Sequence, residues 1–539
     1  MPKLSLLVLG PLTQRPLLDM TGGSGGPAGS NRNADLPPHS TDVDEECRRV
    51  VQALDAVFSA GGQAAATTAG SRSGSPDATA DAASGLAASR DVANRYLTSF
   101  QRQAVAWMVC DRLLNASSSS AAGANNSAAV QSQFFAAQTL HAKCRTDVVQ
   151  LPTDSLPSLR DSLMNHLTSV STSSGGGNRA LVTRLAMASA ALAVQMSWFS
   201  VIEDVLSGVL GITLGGGSDR NINADAMIPT RPELVPAALE LFKLLPEETC
   251  SDRLILQDDM LRNQFGRRLE DSSGMLFAFL LRTAKTNAER GPAAEDLTIA
   301  ENVLHTLHSW VRYVRFHPRM LEGSPLVEWT FHVLADPRYE GDCYEAAVDV
   351  VVEIMRAFPS NYSENERLVH GVIPLAMALG QPEADGPFRS ALASADEDQL
   401  RGYCRIFTEM GESYMSLIMC HQDLNQAALV DLVLDCSAIP DKGRSSFEML
   451  FLGFMYLFSL FLSRLFKSFF SQYNYSTAYS LTQKLLRLRS TFGIGLSLGW
   501  RILSLMNFVT TKPTILPISS FGCLPFVRRS CDIRQTSIL

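Results

Sequence analysis

The stretch FFAAQTLHAKCRTDVVQLPTDSLPSLRDSLMNHL, Phe134–Leu167, is the most informative part of the sequence for the fold. Its apolar residues recur at three- and four-residue steps on both sides of a Pro-containing elbow, a pattern typical of two amphipathic helices joined by a turn. Such a helix pair cannot bury its apolar face alone, so further helices must stack on it. The residues predicted to fill the core between the helices are Phe134, Phe135, Leu140, Leu159 and Leu163.

Helical periodicity continues along the chain, while long alternating strand patterns are missing from the sequence. Helix pairs recur at roughly 40-residue spacing, the period of HEAT-type repeats. The sequence therefore predicts an all-α HEAT-repeat solenoid, in which Trp107, Trp198 and Trp310 act as core anchors. The later helices are predicted at Glu233–Leu245, Gly274–Lys285, Glu301–Arg315, Pro325–Ala335, Tyr344–Phe358, Glu364–Leu379, Gln399–His421 and Asn425–Cys436.

Composition divides the 539 residues into three regions. Residues 1–46 are rich in Gly, Pro, Asn and Asp and are predicted to be disordered. Residues 47–445 are predicted to form the solenoid, with flexible low-complexity insertions at 61–89 and 116–129. Residues 446–539 hold 12 of the 26 Phe residues and are predicted to lie outside the solenoid.

The charge is distributed unevenly. The net charge is −8, yet residues 446–539 carry ten Lys/Arg and only two Asp/Glu, so the preceding part is strongly acidic. An acidic body argues against direct nucleic-acid binding and suits a receptor for basic proteins. Ten cysteines without CxxC pairs indicate a reducing compartment.

Several stretches outside the opening block carry a family resemblance. They are YLTSFQRQAVAWMVCDRLL (Tyr96–Leu114), LVTRLAMASAALAVQMSW (Leu181–Trp198), LELFKLLPEE (Leu239–Glu248) and YCRIFTEMGESY (Tyr403–Tyr414). Together with the opening block, and in the same order, they resemble the amino-terminal half of the transportin-3 and importin-13 branch of the importin-β superfamily. The resemblance runs from about residue 47 to about residue 436.

This resemblance implies a nuclear import receptor that shuttles between cytoplasm and nucleus. Its implied partners are the GTPase Ran in its GTP form, nucleoporins and protein cargo, with arginine–serine-rich proteins as the cargo class. In the family, the first repeats contact Ran. Five polar residues near the apolar stripes of these repeats are predicted to point away from the core and are the candidate contacts: Gln101, Arg102, Gln138, Lys143 and Arg160.

Two alternatives stay open, because the family continues for roughly as many repeats again and residues 446–539 differ in composition. In the first alternative, the chain is a truncated helical-repeat scaffold that lacks the cargo-binding half. In the second alternative, the chain is a helical protein that the uncharged, Phe-rich run Met449–Ser463 anchors in a membrane. This run has 15 residues, whereas a helix that spans a membrane needs about 20.

The sequence has no HExxH and no P-loop. Its two GxSxG matches, at 22–26 and 495–499, lie in Gly-rich pieces that lack a strand before and a helix after, so they do not indicate a catalytic serine. His305 and His308 lie three residues apart on one predicted helix and could share a metal, but without an evident matching Cys or carboxylate the pattern favours surface or packing histidines. The sequence thus predicts no catalytic residue, metal or cofactor and a protein that is not an enzyme.

Overall fold

The computed structural model describes residues 40–67, 76–116, 126–172, 179–214, 224–256, 258–291, 294–381, 386–420, 432 and 435–436. These residues form helices joined by turns and short 3₁₀ segments, and no strand occurs among them. The helices are α1 (Ser40–Thr67), α2 (Pro76–Gln101), α3 (Ala106–Ala116), α4 (Asn126–Thr146), α5 (Leu156–Thr172), α6 (Arg179–Gln195), α7 (Val201–Asp204), α8 (Val235–Thr249), α9 (Asp259–Arg290), α10 (Ala294–Tyr313), α11 (Pro318–Leu321), α12 (Pro325–Ala335), α13 (Asp342–Ala357), α14 (Glu366–Leu379), α15 (Pro387–Ser394) and α16 (Glu397–Cys420).

The helices form two layers. In the first layer α4, α6, α8, α10, α13 and α16 pack side by side, each on the next. In the second layer α3, α5, α9, α12 and α14 each pack against a first-layer helix. Stacked helix pairs of this kind confirm the prediction of an all-α repeat solenoid.

The repeat is longer than the predicted 40 residues. First-layer helices begin at residues 126, 179, 235, 294, 342 and 397, so successive starts lie 48 to 59 residues apart. The extra length comes from low-complexity connections, from 3₁₀ segments such as Pro232–Leu234 and from the 32-residue helix α9.

Two segments that were predicted to be disordered or flexible are partly helical. Helix α1 begins at Ser40, within the segment predicted to be disordered, and residues 1–39 lie outside the described residues. The predicted insertion at 61–89 is helical at 61–67 and 76–89. Alanine has the highest helix propensity, which explains helix formation without large apolar residues. Of the second insertion, residues 117–125 lie outside the described part, as do residues 446–539 and most of the predicted helix Asn425–Cys436.

A proline in α8 explains how α10 is joined to it. Pro246 has no N–H, so the carbonyl of Phe242 loses its partner within the helix. The indole N–H of the fully buried Trp310 donates to that oxygen at 2.8 Å. The hydroxyl of Ser309 similarly donates to the carbonyl of Lys243 at 2.7 Å. These bonds satisfy buried carbonyls and fix α10 against α8 in one register.

The predicted core residues are mostly inside. Leu140, Leu159 and Leu163 are buried, and so are all three predicted tryptophan anchors. Phe134 and Phe135 are only half-buried, and the ring of Phe135 stacks on that of Phe100 at 6.2 Å.

Candidate protein-interaction surface

Lys143 is buried, which corrects the prediction that it points away from the core. Its side chain is 1% exposed. Its ammonium donates to the carbonyl of Gln103 at 3.1 Å, to Asp147 at 3.1 Å and to the side-chain oxygen of Gln150 at 2.8 Å. It also lies 5.1 Å from the centre of the Trp107 ring. These acceptors replace water around the charge, because the turn between α2 and α3 crosses α4 at this point.

The same contacts fix the turn that carries Arg102. The Gln101 amide donates to Thr139 on α4 at 3.2 Å, and the Gln150 amide donates to the carbonyl of Arg102 at 3.2 Å. Lys143 binds the carbonyls on either side of Arg102, at Gln101 and Gln103. The side chain of Arg102 is left exposed on a backbone whose three successive carbonyls, at Gln101, Arg102 and Gln103, all accept hydrogen bonds.

A cleft of about 470 Å³ lies at this turn, and we call it the α2–α4 cleft. Gln101, Arg102 and Lys143 all line it, so three of the five predicted contact residues come together. The remaining lining residues are Thr98, Ala142, Thr146, Asp147 and Gln150. The surface combines one exposed guanidinium with hydroxyl, amide and carboxylate groups, which suits polar contact with a folded protein more than binding of an apolar ligand.

The other two predicted residues lie elsewhere. Gln138 is exposed on α4 and does not line the α2–α4 cleft. Arg160 is half-buried on α5, where it pairs with Asp161 at 2.8 Å and its guanidinium stacks over the Trp198 ring at 5.2 Å. It lines a second cleft, of about 560 Å³, between α5, α7 and α9, which we call the α5–α9 cleft.

A buried ion pair holds the end of α4 on α8. Burial opposes ionisation of Glu248, but hydrogen bonds from His141 and Arg145 outweigh it and hold the pKa of this carboxyl below its usual range. The Arg145 guanidinium donates to Glu248 at 2.8 Å, and His141 lies 3.3 Å from the same carboxylate. This pair fixes the α2–α4 cleft relative to the rest of the stack, because α4 forms one wall of it.

Buried cysteines near the cleft are poor nucleophiles. Burial raises the pKa of the Cys110 and Cys144 thiols far above the ordinary value, and both are fully enclosed. A protonated, enclosed thiol acts as a small apolar side chain.

The two histidines of α10 face different carboxylates. His305 lies 3.5 Å from Glu301, whereas His308 lies 3.9 Å from Glu353 on α13. No cluster of three or more potential metal ligands occurs among the described residues.

Two residues of the α5–α9 cleft were missed by sequence reasoning. Glu203 and Arg268 line it together with Trp198 and Phe199. Of these four residues, the sequence pattern singled out only Trp198, as a predicted core anchor.

Two protein families match parts of the chain. An exportin-1-like protein family matches residues 178–351, which span α6 to most of α13. The second TPR domain of transportin-3 and importin-13 matches residues 395–463. The chain is related to the transportin-3 and importin-13 branch of the importin-β superfamily.

Individual relatives agree with this relationship. The chain is 28% identical to transportin MOS14 of Arabidopsis thaliana over 65% of its own length and 32% of the relative. It is 26% identical to the mRNA transport regulator MTR10 of Saccharomyces cerevisiae, over 65% of the chain and 33% of MTR10. Identity to chicken (Gallus gallus) importin-13 is 26%, over 56% of the chain and 28% of that protein. The chain therefore matches about a third of the length of these relatives.

The transportin-3 and importin-13 match bears on the residues beyond α16. It ends at residue 463, so it extends into the segment 446–539 that was predicted to fall outside the solenoid. It also includes the whole Phe-rich run Met449–Ser463. The run itself lies outside the described residues; among the helices that are described, none is long and apolar enough to cross a membrane.

Proposed function

We propose that this chain acts as a nuclear transport receptor that binds Ran-GTP through its first repeats and carries protein cargo into the nucleus. The observation that supports it is the relationship to transportin and importin-13, combined with a rigidly held, exposed Arg102 in the amino-terminal repeats. Cargo, nucleoporin contacts and movement between cytoplasm and nucleus follow from the same relationship. The acidic body suits basic cargo such as arginine–serine-rich proteins.

The mechanism would be reversible exchange of bound ligands, without a catalysed reaction. Cargo bound in the cytoplasm is released when Ran-GTP binds in the nucleus, which requires an unfavourable coupling free energy between the two ligands. The stack of first-layer helices offers a physical route for it, because each helix packs most extensively on the next and small changes at each interface accumulate.

Within this function Lys143 has a positioning role. Its buried ammonium holds the carbonyls that flank Arg102, so it presents Arg102 without contacting Ran itself. Gln101, Gln138 and Arg160 stay candidate contacts, and Gln101 shares the α2–α4 cleft with Arg102.

The test is a pull-down of the full chain with Ran loaded with GTP or GDP. We expect binding only to the GTP form, and Arg102→Glu should weaken it about tenfold, because a charge reversal places like charges across an interface. Arg367→Glu is the matched control, since Arg367 is 83% exposed on α14. Equal binding of both nucleotide forms, or equal loss in the two variants, would contradict the proposal.

A further inference from the structure

The α5–α9 cleft lies where the helix between α6 and α8 is very short. Helix α7 has four residues and continues into a single π-helical turn at Val205–Val209, whereas α5 and α9 have 17 and 32 residues. A helix of one turn cannot fill the space beside such long helices. The turn that leads into α7 begins with Ser197, whose φ of 55° is unusual for a residue with a side chain.

Two aromatic rings form the apolar part of this cleft. Trp198 is buried, and its indole N–H donates to Asp204 at 2.6 Å. Phe199 is 37% exposed and rests on the buried Phe265, with ring centres 6.3 Å apart. The Arg268 guanidinium lies 5.8 Å from the Phe199 ring centre. Phe199 therefore offers a supported aromatic face that already attracts a cation.

Glu203 supplies an incompletely satisfied carboxylate in the same cleft. One of its oxygens accepts from the Ser272 hydroxyl at 3.2 Å. The other oxygen is shielded from solvent, and no donor among the described residues reaches it. The neighbouring carboxylate of Asp204 is already paired, with Trp198 and with the Ser200 hydroxyl at 2.8 Å. An unpaired buried carboxylate oxygen is costly, so a donor that reaches it would bind favourably.

We propose that the α5–α9 cleft binds a lysine or arginine side chain from a peptide segment of a protein partner. The N–H groups of that side chain donate to Glu203, and its aliphatic stem packs on Phe199. Rotation of the carboxylate about its last torsion, which has broad minima, turns an oxygen towards the cleft. The proposal does not rest on Ran binding, because Glu203 and Phe199 are not among the candidate Ran contacts; of those contacts only Arg160 lines this cleft.

The charges of the cleft favour a cation over a phosphate. Its two arginines already have acidic partners, Arg160 with Asp161 at 2.8 Å and Arg268 with Asp271 at 3.6 Å. The unsatisfied group is an acceptor, and a phosphate would meet the negative charges of Glu203 and Asp271. Arg268 is 60% exposed and its ion pair is long, so it leaves the Phe199 ring easily when a second cation arrives.

The experiment measures binding of short fluorescent peptides to the full chain by anisotropy. The peptides are Gly/Ser sequences that differ only at one central residue: arginine, lysine, neutral citrulline or phosphoserine. We expect saturable binding of the arginine and lysine peptides and none of the citrulline peptide. Glu203→Gln should weaken the arginine peptide at least about tenfold, because it removes the charge from a charge-assisted hydrogen bond.

Two further variants make the test independent of a folding defect. Arg268→Ala should strengthen arginine-peptide binding, because it removes the competing cation from Phe199, and it alters an exposed side chain. Glu328→Gln on the exposed face of α12 is the matched control and should change nothing. Citrulline binding equal to arginine, unchanged affinity in Glu203→Gln, or phosphoserine binding that Glu203→Gln strengthens would each overturn the proposal.

Discussion

At the scale of single residues, Lys143 shows how a charged side chain can be part of the fold. Its ammonium has four oxygen partners within 3.4 Å, and two of these are main-chain carbonyls from the turn between α2 and α3. A buried charge is tolerated only when such partners replace its hydration. The position of Arg102 therefore depends on a residue that has almost no surface of its own.

Lys143→Met should destabilise the protein by about 2–4 kcal/mol. Methionine keeps the unbranched stem but lacks the terminal ammonium, which leaves Asp147, Gln150 and two carbonyls without that donor. The free energy of unfolding from urea titration measures the effect. Gln138→Met, an exposed position on the same helix, is the control and should stay within about 0.5 kcal/mol of the wild type. Equal values for the two variants would show that the Lys143 contacts do not stabilise the fold.

Sequence reasoning could not identify this role, and the reason is physical. In the sequence, Lys143 and Gln138 are both polar residues beside an apolar stripe. What distinguishes them is that the turn between α2 and α3 crosses α4 at Lys143. Glu203 is a similar case, because its contact with Ser272 on α9 joins residues that are far apart in the sequence. By contrast, the burial of Leu140 and Leu163 follows from local periodicity and was predicted.

At the scale of helices, apolar periodicity locates an element better than it locates its ends. Helix α12 spans Pro325–Ala335 as predicted, because Ser324 caps its first turn and Pro325 favours a helix start. Helix α9 was predicted only at Gly274–Lys285 but begins at Asp259. Its first half carries many charged residues and buries only a narrow stripe that includes Phe265 and Leu269, so the apolar signal there is weak.

The interface between α13 and α16 depends on a glycine. A Cβ atom at Gly402 would lie 2.6 Å from a ring carbon of Tyr344 and 2.8 Å from a methyl of Val348. Gly402→Ala should therefore cost about 1–3 kcal/mol, because the helices must separate. Chemical denaturation is the measurement, with Gly274→Ala inside α9 as the control.

Gly274 has no atom within 4 Å of an added Cβ, so its substitution isolates the backbone effect. There alanine should stabilise the protein by roughly 0.5–1 kcal/mol, since glycine is unfavourable inside a helix. The two substitutions are chemically identical and should have opposite signs. Stabilisation by both would mean that α13 and α16 are not in close contact.

At the scale of the whole molecule, the order of contacts makes α10 a central link. It packs on α8 on one side and on α13 on the other, so the stack has no continuous first layer without it. In an array where each repeat contacts only its neighbours, weakening one interface in the middle lowers the stability of the repeats on both sides. A titratable group at that interface therefore affects the entire stack.

His305 and His308 of α10 are such groups. Burial lowers the pKa of His305 below its ordinary 6.5, aided by Lys243 and Arg179 and opposed by Glu301 and Asp349. Burial also lowers the pKa of His308, with Asp349 and Glu353 opposing and Arg312 aiding the shift. Both rings are thus held neutral in the folded protein at a pH where the unfolded chain already binds protons.

Acidification from about pH 7.5 to about pH 5.5 should lower the free energy of unfolding, because the unfolded state takes up more protons in this range. Urea titrations at the two pH values measure the change, and the double variant His305→Gln/His308→Gln should show a smaller one. His332→Gln, at an exposed position of α12, should behave as the wild type.

The pKa values of Glu247 and Glu412 are raised from an ordinary value of 4.5, so protonation of these two groups on acidification stabilises the folded state. Because they titrate from a lower ordinary value than histidine, the upper part of the pH interval reports mainly on the histidines. A pH dependence that survives the double variant would place the responsible groups outside the centre of the stack.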